Sequence, residues 1–134
     1  MILPDSSVWI DFLRNEPTAE ATKLSALLTH RSASVLMGDI ILAEILQGYE
    51  DERQARLVQQ RLSSLKQVAI CDPPLAIRAS DNFRALRQRG VTIRKTIDTL
   101  IATRCIVDSH ALLHRDRDFQ PFVDHLGLID AMTR

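Results

Sequence analysis

Short apolar runs alternate with longer stretches in which apolar residues recur every three or four positions. Residues 2–5 predict a first strand that stops at Asp5. Ser6 or Ser7 then caps a helix carrying Trp9, Phe12 and Leu13, which ends near Asn15, ahead of Pro17. Thr18 caps a second helix through Ala21, Leu24, Leu27 and Leu28. Residues 34–37 predict a second strand, and Gly38-Asp39 a turn into a nearly all-apolar helix over 40–46, closed by Gly48. Residues 50–65 predict an amphipathic helix with Leu57, Val58, Leu62 and Leu65 on one face. Residues 67–71 predict a third strand. Pro73-Pro74 opens a helix through Ile77, Phe83 and Leu86 that Gly90 stops. A further helix starts at Thr96 or Asp98 and includes Ile101, Cys105 and Ile106. Residues 111–113 predict a fourth strand, 114–119 a loop and 126–129 a short last strand.

Strands alternating with helices imply βαβ units. The expected fold class is therefore α/β, with a mostly parallel sheet of about five strands flanked by helices. Repeats, low-complexity stretches and linkers are absent, so residues 1–134 are expected to form one domain.

Composition narrows the chemistry. Lys plus Arg number 17 and Asp plus Glu 17, so no global basic field advertises a nucleic-acid partner, and one must be held by a local patch or by metal. Cys71 and Cys105 both lie among apolar residues and read as small buried hydrophobes of a reducing compartment. No apolar run approaches the ~20 residues of a membrane span. The first residues lack the basic and apolar regions of a signal peptide, so a cytoplasmic location is expected.

Four acids stand out by position. Glu44 is the only charge between Ile40 and Tyr49, and shares its helix face with Ile40, Ile41, Ile45 and Gly48. Asp5 ends the first strand, although Ser6 and Ser7 already offer capping oxygens. Asp98 is followed at helical spacing by Ile101, Ala102 and Cys105. Asp116, with Asp118 beside it, follows the fourth strand. Each has a plainer reading alone. Glu44 can reach solvent from the rim of its stripe, Asp5 can cap a helix, and Asp98 can favour a helix dipole. Asp116 and Asp118 can belong to a solvated turn with Arg115 and Arg117 as weak partners.

Taken together they change weight. The carboxyl ends of strands are where open α/β sheets bind ligands. Like charges ~4 Å apart repel by roughly 4 kcal/mol at an effective dielectric of 20. A fold keeps such a cluster only if protons or cations neutralise it. Oxygen ligands without His or Cys at metal spacing point to Mg²⁺ or Mn²⁺, and such ions suit phosphodiester hydrolysis by an in-line water.

Asp5-Ser6-Ser7 after a first strand, Glu44 in an apolar helix, the run Asp98–Ala102, and the run Leu112–Phe119 together resemble the PIN-domain nucleases. The bare layout is most similar to VapC toxins of bacterial toxin–antitoxin pairs. The resemblance implies a parallel five-stranded sheet flanked by helices and a Mg²⁺- or Mn²⁺-dependent endoribonuclease acting on RNA. It also implies inhibition by a VapB-type antitoxin and a homodimer. It carries catalytic, metal-coordinating roles to Asp5, Glu44, Asp98 and Asp116, and an outlying role to Asp118. Ser7 matches a hydroxyl position beside the first acid. The family often has Thr or Ser where this chain has His114. That imidazole is expected to pack or to lie at the surface.

Arg94 and Lys95, just before Asp98, are candidate RNA-phosphate contacts, as is Arg115. Arg84 and Arg87 read as a solvated helix face. Trp9, Phe12 and Leu13 read as core, with an antitoxin or dimer surface as the alternative. Two other functions compete with the nuclease: a PIN-like binding module without chemistry, and a phosphoacceptor receiver domain. The second normally begins with paired acids and needs a late Lys, whereas this chain has no Lys beyond Lys95.

Overall fold

Three residues at the start, half-buried Ile2 and buried Leu3 and Pro4, set the frame. Ile2–Pro4 (β1) pairs in parallel with Ala111–Leu113 (β4), and β4 pairs in parallel with Ile129–Asp130 (β5). Leu36–Gly38 (β2) pairs in parallel with Lys66–Val68 (β3). A single parallel bridge between Ile2 and Val35 joins the two ladders, so the strands run β3-β2-β1-β4-β5. The expected five parallel strands thus form ladders of three and two. These features come from a computed structural model that describes residues 1–133.

Helices fill the connections: Ser6–Leu13 (α1), Ala19–His30 (α2), Asp39–Leu46 (α3), Glu52–Leu62 (α4), Pro73–Gln88 (α5), Thr96–Asp108 (α6) and Gln120–Leu126 (α7). The core is their shared apolar face, with Leu3, Trp9, Leu24, Met37, Ile41, Ile70, Ile101, Leu112, Phe119 and Phe122 almost fully buried. Trp9 is core and meets Phe12 edge to face at 6.0 Å, whereas Phe12 and Leu13 are half-buried against the core, so the core reading of the trio holds in full only for Trp9.

Several expectations are corrected. Asp5, not Ser6 or Ser7, caps α1: its Oδ2 accepts from Ser7 Oγ at 2.8 Å and from the Ser7 amide at 3.4 Å. β2 and β3 are shifted, because Asp39 ends one crossover by accepting from the amides of Ile40 and Ile70 at 2.7 and 2.9 Å. Ile70 therefore leaves the ladder. Beyond it Cys71 is exposed rather than buried, since the chain turns outward into Asp72-Pro73-Pro74. α4 is shorter than the 50–65 pattern, and Leu57 points to solvent at 55% exposure. α7 falls where no helix was expected, and it displaces the last strand to residues 129–130. Gly90 does end α5 as expected, with φ of 82°, a conformation that costs glycine little. Among the described residues no helix is long and apolar enough to cross a membrane.

Candidate metal and catalytic centre

The carboxyl ends of β1 and β4 lie side by side, because the Asp5 amide donates to the Leu113 carbonyl at 2.9 Å and extends their pairing by one residue. Asp5 is therefore held next to the loop that follows β4. That loop begins with His114 and folds into a turn of 3₁₀ helix at Arg117–Phe119. Asp116 caps the turn, accepting from the Asp118 amide at 2.9 Å. Asp98 sits in the first turn of α6, which packs on both β4 and the loop.

Asp98, Asp116 and Asp118 each bring one carboxylate oxygen to within 4.8 Å of the others. Asp118 was expected to lie outside the group, yet it stands inside it and is also paired with Arg94 at 3.2 Å. Asp5 and Glu44, expected to converge with Asp98 and Asp116, do not belong to that 4.8 Å group. The charge of Asp5 acts on both Glu44 and Asp98, and those of Asp116 and Asp118 act on Asp98. Burial, and then the Asp5 charge, push Asp98 up to about 6, against the pull of Lys95. Burial, and then Asp5, also raise Glu44, while a hydrogen bond from Ser6 and the charge of Lys95 oppose them.

Two buried oxygens here, Glu44 Oε1 and Asp98 Oδ2, have no hydrogen-bond partner. Orphaned carboxylate oxygens facing other carboxylates are costly in a bare fold and are the donor type that hard divalent cations take. The residues present therefore fit a divalent ion.

The remaining candidates fall in three places. Ser7 touches Asp5. Arg94 and Lys95 lie at the exposed entrance to α6. Arg115 turns away from the acids: its Nε lies 2.6 Å from Asp11 Oδ2, and its terminal nitrogen donates to Oδ1 at 3.4 Å. His114 is buried with its ring 5.2 Å from Phe119, in agreement with packing, and both its ring nitrogens lack partners. Asp11 was missed from the sequence. It is a lone charge between Trp9, Ile10, Phe12 and Leu13, and the argument applied to Glu44 would have found it.

The family model described as PIN domain matches residues 2–122. The VapC ribonuclease Mb1587 of Mycobacterium bovis is 31% identical over 119 residues, 89% of either chain. Among solved structures, VapBC2 from Rickettsia felis, bound to a DNA fragment from its promoter, superposes with a TM-score of 0.71 at 21% identity, covering 96% of each chain. VapC20 of Mycobacterium tuberculosis, described as a sarcin-ricin loop cleaving toxin, gives 0.64 at 18% identity over 90% of this chain and 93% of that one.

Proposed function

The chain belongs to the PIN-domain family, and on that premise we propose that it is a metal-dependent endoribonuclease, the toxin of a VapBC-type pair. One observation carries the reading. Three carboxylates converge within 4.8 Å at the carboxyl end of a parallel sheet, and the charge of Asp5 acts both on Asp98 in that group and on Glu44 beside it. Asp5, Glu44, Asp98 and Asp116 are the residues that would hold Mg²⁺ or Mn²⁺, with Asp118 beside them. When bound, the ion supplies charge for activating a water and for the negative charge that builds on a phosphate under in-line attack.

The protein's own groups do the rest. Ser7 fixes the Asp5 carboxylate through its hydroxyl. Asp116 shapes its own loop by capping the turn that carries Asp118. Arg94 and Lys95 place positive charge at the mouth of the site, where an RNA phosphate approaches. Arg115 has no such role in this reading, because Asp11 already holds it. The named relatives are ribonucleases, and the solved VapBC neighbour pairs toxin with antitoxin. The same reading extends to a VapB-type inhibitor, a homodimer and a cytoplasmic location.

Asp5→Asn is the discriminating variant. Asparagine caps a helix as well as aspartate does, so α1 keeps its start while one ligand charge is lost. Cleavage of RNA in Mg²⁺ or Mn²⁺ is expected to fall to background, with a thermal transition in the absence of metal no lower than that of the wild type, because the variant relieves the repulsion on Asp98 and Glu44. Wild-type cleavage by the pure variant would overturn the mechanism. Failure of the wild type to bind either ion at millimolar concentration would favour a PIN-like module that only binds a partner.

A further inference from the structure

A groove of 540 Å³ runs between α5 and α6, beside the acids but outside them. Its walls are apolar, formed by Ala76, Phe83 and Leu100, and Cys71 lies at one end. Arg84 and Arg87 also line it, and none of its described lining residues carries a carboxylate. The Arg87 guanidinium lies over the Phe83 ring at 5.4 Å. The fourth feature is Thr99, which is 3% exposed, lines the groove and has a buried hydroxyl without a hydrogen-bond partner.

We propose that this groove is the subsite for a nucleobase of the RNA, next to the phosphodiester held at the acids. The inference rests on the nuclease reading above. Thr99 directly follows Asp98 on the first turn of α6, about 1.5 Å along the axis and roughly 100° round it, so the groove opens on the helix face adjacent to the one that carries Asp98. The walls suit a flat, largely apolar ring, and the Phe83–Arg87 pair offers a stacking partner. A buried hydroxyl with no partner is satisfied by the hydrogen-bonding edge of a base and not by an aliphatic side chain. Arg84 is paired with Asp81, so the positive charge the groove offers to a phosphate-bearing chain comes from Arg87. Two faces thus divide the work: the acids cut, and the groove chooses the base beside the cut.

Cys71 supplies a readout independent of cleavage, because it is exposed in the groove whereas Cys105 is fully buried. A short fluorescent oligoribonucleotide of mixed sequence is bound to Asp5→Asn protein, binding is followed by anisotropy, and maleimide labelling of Cys71 is timed. Saturating RNA is expected to slow labelling at least fivefold. Ala76→Trp, which fills the groove from its exposed rim, should weaken RNA binding severalfold while leaving Mn²⁺ titration of the protein unchanged. In otherwise wild-type protein, Thr99→Val should retain cleavage of a randomised RNA pool but flatten the base preference at one position beside the cut. RNA that binds without protecting Cys71, RNA binding unweakened by Ala76→Trp, or a base preference unmoved by Thr99→Val overturns the subsite and leaves the nuclease intact. Absence of any RNA cleavage by the wild type overturns both. Loss of inhibition by an antitoxin peptide, with RNA binding unchanged, would assign the groove to protein and also overturn the proposal.

Discussion

Asp11 and Arg115 form an ion pair across the molecule, 2.6 Å from Nε to Oδ2, linking the middle of α1 to the loop that bears Asp116 and Asp118. α1 begins at Asp5, so the pair ties both arms of the acidic centre together. The partners differ in burial, with 48% of the Arg115 side chain exposed against 9% of Asp11. Arg115 freed of its partner can hydrate, whereas Asp11 freed of its partner remains a buried charge. Arg115→Ala is therefore expected to cost about 2–3 kcal/mol and Asp11→Asn about 1 kcal/mol. Urea unfolding of both variants checks the order, and equal costs would show that the pair does not hold the loop.

The raised pKa of Asp98 gives the metal-free protein a pH-dependent stability. The folded group holds its proton to about 6 while the unfolded group releases it near 3.8, so the fold binds more protons between those values. Stability then falls as pH rises through that window, by roughly 2–3 kcal/mol. Asp98→Asn should remove most of this slope and stabilise the metal-free protein at pH 7.5, while abolishing RNA cleavage. Denaturant midpoints from pH 4 to 7.5 in chelator provide the measurement. A flat profile in the wild type would mean that neither burial nor the charge of Asp5 holds the proton on Asp98.

The five acids and the alternation of strands with helices were legible because each leaves a local mark: a charge inside an apolar period, or an apolar run ended by an acid. The finer errors have physical causes. α7 spans only seven residues with Pro121 in its first turn, too short for a helical period to register. Cys71 follows Ala69 and Ile70, yet Asp39 draws the Ile70 amide away and the chain leaves the sheet there. Asp5 caps α1 because its side chain sits one residue before the helix, where Ser7 Oγ can donate to it instead of competing with it. Arg115 looked like an RNA contact because its partner, Asp11, is 104 residues away in sequence.

The two thiols should behave differently. Cys105 is fully buried and pushed up to about 12, chiefly by burial, whereas Cys71 is exposed. One thiol per chain is expected to react with a neutral disulfide reagent in native conditions, and two in denaturant. Peptide mapping should find the native label on Cys71, and two native equivalents would show that the α6 core opens readily.

Gly38 is fixed by crowding. A Cβ there would lie 2.8 Å from Ile70 Cδ1 and 3.0 Å from its Cγ1. Gly38→Ala is expected to destabilise by about 1–2 kcal/mol through overpacking. Adding Ile70→Val removes the nearest methyl and should recover part of the loss, giving a non-additive double-mutant cycle in thermal unfolding. Strict additivity would place the strain elsewhere.

The lone bridge between Ile2 and Val35 is the seam where the two ladders meet. Glu44 rides on α3, which follows β2 on one side of it, while Asp5 and Asp116 follow β1 and β4 on the other. A slip along that seam respaces the carboxylates and leaves each ladder whole. On the metal-dependent reading proposed above, substitutions at Ile2 or Val35 are expected to change cation affinity from a position outside the acids.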